Sequence, residues 1–194
     1  MPNKSPLCYP PPTPPNWWGD FESSELEKAK VVAQLTVTHT AMAVDSFFCE
    51  TWSNYYPLDL TLLRRSFTAD PISPQQPQAA YYTMRNLATA LEDLQPAEFP
   101  VRIAGGPAEI ITFMLARDGE RVLTLWQPGR PHDDCPGTPC DILLEGRFTT
   151  ARVEDPLNGT AQALNLIVED QTTRIPGVLV KDYPILIRLA EPEG

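Results

Sequence analysis

The sequence predicts an α+β chain: a helix–strand–helix half followed by an all-β half of nearly 100 residues. Two observations divide it. Apolar residues recur at helical spacing before residue 95, and after residue 100 they gather in short runs separated by turn chemistry. A third observation concerns the joints. Most of the 22 prolines cluster at 10–15, 71–77, 128–139 and near the C-terminus, leaving the helix interiors almost clear.

Residues 1–23 form a Pro-rich loop or arm, PPPTPP followed by Trp17-Trp18-Gly19-Asp20. Successive prolines favour an extended path without internal hydrogen bonds. Ser24 and Glu27 make a capping box for a helix over about 25–41, with Leu26, Ala29, Ala33 and Val37 on one face and acidic residues in the first turn. Val44 to Cys49 reads as a short buried strand; a helix leading straight into a fully apolar strand suits a parallel α/β sheet. Residues 53–76 are a long connection. Pro77 stands where a helix can begin at no hydrogen-bonding cost. Ala80, Met84, Leu87, Leu91 and Leu94 then form an amphipathic stripe, and Pro96 ends it. Beyond it, Ile110–Leu115, Val122–Trp126, Phe148–Val153, Ala163–Val168 and Ile185–Leu189 are strand-like. Arg117-Asp118-Gly119-Glu120 and Asn158-Gly159 supply hairpin turns. Regular strands with such turns predict a β-sandwich over 96–194.

The chain has 194 residues, 42 % hydrophobic and 21 % charged, with a formal net charge of −10. That charge argues against nucleic acid and against an anionic membrane as partner, and leaves neutral or cationic ligands, such as sugars, open. No apolar run reaches the roughly 20 residues of a membrane span, and the N-terminus lacks the apolar core of a signal peptide. Cellular location is left undetermined. With two histidines and no CxxC, neither a metal site nor a cofactor is expected. Cys135 and Cys140 flank PGTP, a turn able to close a small disulfide loop.

One stretch carries candidate chemistry. In FFCETW (47–52) an apolar strand ends in Glu50 and Trp52. Glu50 is a substrate ligand, a catalytic carboxylate, or a structural carboxylate paired with Arg64 or Arg65. Trp17 and Trp18 either wall a sugar subsite or anchor the arm. Tyr55 and Tyr56 share those two readings. Asp59 caps a turn after Pro57 or binds substrate. His39 reads as a core or interface histidine. His132-Asp133-Asp134 reads as a solvated loop without calcium-ligand spacing. Asn158-Gly159-Thr160 reads as a turn before it reads as a glycosylation acceptor.

The order of elements resembles the end of a retaining (β/α)8-barrel glycoside hydrolase. The quoted stretches are SELEKAKVVAQLTVTHTAMAVDSFFCETW, the loop Asp59-Leu60-Thr61-Leu62-Leu63, PQAAYYTMRNLATAL and Val180-Lys181-Asp182-Tyr183-Pro184-Ile185. Together they span about residues 24–190. The resemblance implies that 24–95 are the last βα units of an incomplete TIM-type barrel and that 96–194 are its C-terminal β-sandwich. It places Glu50 and Trp52 at the end of an eighth strand, the active-site face, and implies Glu50, Trp52, Trp17, Trp18 and Tyr55 as substrate-binding residues. In that family the catalytic glutamates end strands four and seven. Both would lie upstream of Met1, so the resemblance implies no catalytic residue in this chain. The implied partners are a carbohydrate substrate and the missing barrel portion, or a second copy in a homo-oligomer. The competing expectation is a non-catalytic carbohydrate-binding or protein-interaction module.

Overall fold

The computed structural model describes residues 24–44, 62–64 and 76–192. Among these residues it has two helices and two larger antiparallel sheets, an α+β arrangement consistent with a β-sandwich. The Pro-rich arm, most of the predicted 44–49 strand and most of the 53–76 connection lie outside the described residues.

Helix α1 spans Glu25–Ala41. Its N-cap is Ser24, whose hydroxyl oxygen accepts from the Glu27 amide at 3.0 Å. This satisfies one of the orphan donors of the first turn. The Glu27 side chain pairs with Arg130 at 3.1 Å, and no return bond to Ser24 is present among the described contacts. Helix α2 spans Ala79–Ala90 with Gln78 as N-cap. Pro77 therefore precedes the helix instead of opening it: it lies in a two-residue strand, β2 (Gln76–Pro77), paired with β1 (Leu63–Arg64). Nor does Pro96 end the helix. The chain leaves it after Ala90 and continues into β3 (Gln95–Pro96), an edge strand, where a missing amide costs no ladder bond.

The remaining strands are β4 (Val101–Gly105), β5 (Ile111–Arg117), β6 (Glu120–Trp126), β7 (Thr138–Glu145), β8 (Thr150–Asp155), β9 (Thr160–Ala163), β10 (Ile167–Glu169), β11 (Thr172–Val180) and β12 (Ile185–Ala190). One sheet runs β10-β11-β7-β4 and the other β3-β5-β6-β12-β8-β9. Both expected hairpins form. β5 and β6 join at Asp118-Gly119, where Gly119 takes φ +71°, and β8 and β9 join around Asn158-Gly159. The run 163–168 is not one strand: it is the end of β9 and the start of β10, which belong to different sheets.

The core between the sheets takes Leu123 and Leu125 from β6, Ile142 and Leu144 from β7, and Ile187 and Leu189 from β12. The other face of β6 and β12 is buried too. Val122, Trp126 and Leu186 pack against Ala33 and Val37 of α1 and against Leu87, Leu91 and Leu94 beyond and within α2. A strand covered on both faces needs apolar residues at successive positions, which is why VLTLW and ILIRL read as continuous runs. Thr124, fully buried among them, donates its hydroxyl to the Phe113 carbonyl at 3.2 Å. The rest of the helical stripe closes between the helices, where Ala29 and Val32 meet Ala80 with Met84 at the margin.

Strand β11 has no counterpart among the expected elements, although it pairs along nearly the whole of β7. Its TTRIPGVLV contains Pro-Gly, which reads as a turn. In the fold these two residues form a bulge: the register shifts between Ile175 and Val178, and Gly177 takes φ +67°. Thr173 and Ile175 point inward before the bulge, Val178 and Val180 after it. One inserted residue thus restores the inward parity.

The cysteines correct another expectation. Cys140 is a free thiol buried in the core on β7, whereas Cys135 is disulfide-bonded, so the two do not pair. Burial, aided by Asp141, pushes the Cys140 thiol up from 9.0 to about 11. The fold therefore favours the neutral thiol. Its contribution is whole below pH 9.0 and is lost as pH rises through about 11. Urea unfolding should show stability falling over that window, and Cys140→Ala should flatten part of the fall. An unchanged slope in the variant would show that the thiol does not titrate differently in the two states.

Candidate functional site

The five residues expected to bind substrate, Glu50, Trp52, Trp17, Trp18 and Tyr55, all lie outside the described residues, as do Tyr56 and Asp59. Among the described residues two places concentrate polar chemistry, and both depend on contacts far apart in sequence.

The first is a buried junction beneath α1. Lys30 is 2 % exposed and Asp182 3 %. Lys30 Nζ lies 2.9 Å from Asp182 Oδ1 and donates to Oδ2 at 3.2 Å. The approach to Oδ1 is an ionic contact without hydrogen-bond angles. Nζ also donates to the His132 carbonyl and sits 5.3 Å from the centre of the Tyr183 ring. Asp182 Oδ2 accepts from the His132 amide at 2.7 Å, and Gln34 donates to the Asp182 carbonyl at 2.8 Å. Buried charges need this density of partners. Next to the junction, the Tyr183 hydroxyl donates to Asp155 Oδ2 at 2.9 Å. Burial, then the Asp155 carboxylate, pushes this phenol far above its usual range, so it stays a neutral donor. The junction fastens helix to sandwich. With its oxygens already engaged and its side chains closed off, it has no face for a substrate.

It also changes the reading of His132-Asp133-Asp134. The loop is tied to α1 rather than merely solvated: the His132 backbone joins the Lys30–Asp182 pair, and Ser24 donates to Asp133 Oδ1 at 2.5 Å. Among the described residues no cluster of three or more His, Cys, Asp or Glu is placed to hold a metal ion. His39 is half-buried in the last turn of α1.

The second place is a cleft of about 550 Å³ between α2, the β8–β9 hairpin and the outer face of the six-stranded sheet. Its floor is Arg188, whose Nε meets Glu154 Oε2 at 2.9 Å and whose Nη1 meets Glu120 Oε2 at 2.9 Å. A further nitrogen donates to the Ala90 carbonyl at the end of α2. Burial works against the charged guanidinium, but Glu154 and Glu120 outweigh it and hold it above its usual value. Arg117 Nε shares the same Glu120 oxygen at 2.7 Å. Asn86 of α2 donates to the Pro156 carbonyl at 2.9 Å and closes one end. Both glutamates are thus committed to guanidinium groups and do not form the acid and nucleophile of a retaining hydrolase, which stand about 5–5.5 Å apart across a substrate.

A larger groove of about 960 Å³ runs past Ala41, residues 96–100 and 112–114. Among the described residues its titratable lining is the carboxylate of Glu98. Among the described residues no helix is long and apolar enough to cross a membrane.

Sequence reasoning missed the cleft because its charged residues lie on five separate elements, α2, β5, β6, β8 and β12. The one signal was an arginine inside each of two strand runs, Arg152 in 148–153 and Arg188 in 185–189.

No family model matches the chain, and no curated protein matches it. Among solved structures, a rhamnosidase from Novosphingobium sp. PP1Y is similar in shape, with a TM-score of 0.39 and 10% identity. The match covers 57% of this chain and 10% of that chain. At that score the likeness carries no argument about this chain's activity.

Proposed function

We propose that the chain is the C-terminal part of a retaining (β/α)8 glycoside hydrolase. It would supply substrate-wall residues and the accessory β-sandwich and would not be catalytic alone. The reading rests on the order of the quoted stretches, and one observation supports it: those stretches meet in space. Lys30 of the first pairs with Asp182 of the last, while Leu87 of the third shares a core with Leu186, next to the last. Glu50, Trp52, Trp17, Trp18 and Tyr55 are proposed to contact a carbohydrate. The missing barrel portion, or a second copy of the chain, is proposed as partner.

In a complete barrel carrying this chain, Glu50→Gln should raise KM about tenfold or more, the worth of a charged hydrogen bond, with little change in kcat. Loss of kcat at unchanged KM would put Glu50 among the reacting groups and refute the assignment. The isolated chain should hydrolyse no glycoside.

A second reading, a non-catalytic carbohydrate-binding or protein-interaction module, is favoured by the way α1 and α2 bury their apolar faces on each other and on the sandwich. Barrel strands are not needed to cover those faces. A monomeric 1–194 chain with one cooperative melting transition, and glycan binding indifferent to Glu50→Gln, would select this reading over the first.

A further inference from the structure

The geometry points to the α2–sheet cleft as a binding site for a small oxyanion, a carboxylate- or phosphate-bearing molecule of monosaccharide size, held by Arg85 and Arg152. Charge comes first. Four arginines, Arg85, Arg117, Arg152 and Arg188, line the cleft with three carboxylates, Glu120, Glu154 and Asp155. This is a cationic excess within a chain of net charge −10. Such local reversal concentrates anions in a cleft.

The carboxylates are already spent. Glu120 accepts from Arg117 and Arg188. Asp155 accepts from the Leu157 and Asn158 amides, the Asn158 side chain and the Tyr183 hydroxyl, at 2.8–3.2 Å. Arg117 and Arg188 are spent on the glutamates and on the Glu92 and Ala90 carbonyls. Two guanidinium groups are left with capacity. Arg152 reaches Glu154 only at 3.6 Å, with 60% of its side chain exposed. Arg85 lies 5.3 Å from the Tyr82 ring centre and has no carboxylate partner among the described residues.

The backbone register sharpens this. Arg152 stands directly opposite Arg188 on the neighbouring strand. Like charges so placed repel, and Glu154, drawn to Arg188 Nε at 2.9 Å, relieves Arg152 weakly. An anion between Arg85 and Arg152 would complete the neutralisation and receive forked N–H donors from each. Thr89 and Thr160 at the rim offer hydroxyls to the rest of such a ligand. The volume lies within the usual range for small-molecule sites, about 300–1,000 Å³. This site is independent of the proposed substrate wall, since every residue it uses is on α2 or the sheet.

The test is calorimetric titration of the full chain with galacturonate, inorganic phosphate and neutral galactose at low ionic strength. The expected result is saturable binding of galacturonate, phosphate or both, weakened about tenfold or more in R85Q/R152Q. Whichever anion binds more tightly identifies the source of the oxyanion. The double variant R85K/R152K, which keeps the charge and loses the fork, should recover part of the affinity. Both arginines are exposed, so these changes leave the core intact. Binding equal in wild type and R85Q/R152Q, galactose bound as well as galacturonate, or no saturation by either anion in the millimolar range would overturn the proposal. E50Q should bind the anion as wild type does, whatever the fate of the glycosidase reading. A loss there would place the anion elsewhere and also overturn it.

Discussion

Asp182→Ala should destabilise the protein by about 3–5 kcal/mol, the usual consequence of removing one partner of a buried ion pair. Lys30 would keep its ammonium group beneath α1 at 2 % exposure with carbonyl and ring contacts but no counter-charge. The His132 amide would also lose its acceptor. The expected fall in melting temperature is on the order of 10 °C for a chain of this size. The double variant Lys30→Met, Asp182→Ala should recover much of the loss, because an apolar replacement removes the stranded charge. Thermal and urea unfolding of the three variants make the comparison. If Asp182→Ala costs under about 1 kcal/mol, the pair behaves as a surface bridge and α1 does not close over it.

Trp126→Ala should cost about 3–5 kcal/mol. Trp126 is 2 % exposed on the outward face of β6, with the Phe113 ring centre 5.7 Å away and the helices above. It is the largest side chain of the core between the helices and the six-stranded sheet. Removing it leaves a cavity between two layers joined mainly by that core and the Lys30 junction. Helical circular dichroism should therefore melt ahead of the β signal in the variant, while the wild type shows coincident transitions. Coincident melting with a loss below about 1 kcal/mol would show that the helices do not depend on the sheet.

Local elements were legible wherever a local rule sets them. Ser24 caps α1 because a short side-chain oxygen can reach the amide three residues on. The Asp118-Gly119 and Asn158-Gly159 hairpins form because their turns require positive φ, and Gly119 and Gly159 supply it at +71° and +62°. The double-sided burial of β6 and β12 wrote itself into unbroken apolar runs. Other features hid for physical reasons. β11 carries its bulge as Pro176-Gly177, which imitates a turn. β7 interleaves its buried residues with Pro139, Asp141 and Glu145, and β4 carries Arg102 and Gly105, so neither presents an unbroken apolar run. Pro77 and Pro96 fit the rules for helix ends, yet both sit in two-residue strands.

The candidate sites divide along the same line. Glu50, Trp52, Trp17, Trp18 and Tyr55 come from one contiguous pattern and from a resemblance, and they lie outside the described residues. The α2–sheet cleft and the Lys30–Asp182 junction are closed by residues far apart in the chain, Asn86 with Pro156 across 70 positions and Lys30 with Asp182 across 152, which no spacing rule can anticipate. By itself the sequence determined the acidic balance, a sum over its residues, and the helices and hairpins, which follow from neighbours within one or two turns of chain. Only the tertiary structure decided that the helices lie on the sandwich, that Cys140 stays a buried thiol apart from Cys135, and that arginines from a helix and three strands converge. Those outcomes depend on which apolar faces find each other, and that choice minimises exposed surface over the whole chain rather than along any part of it.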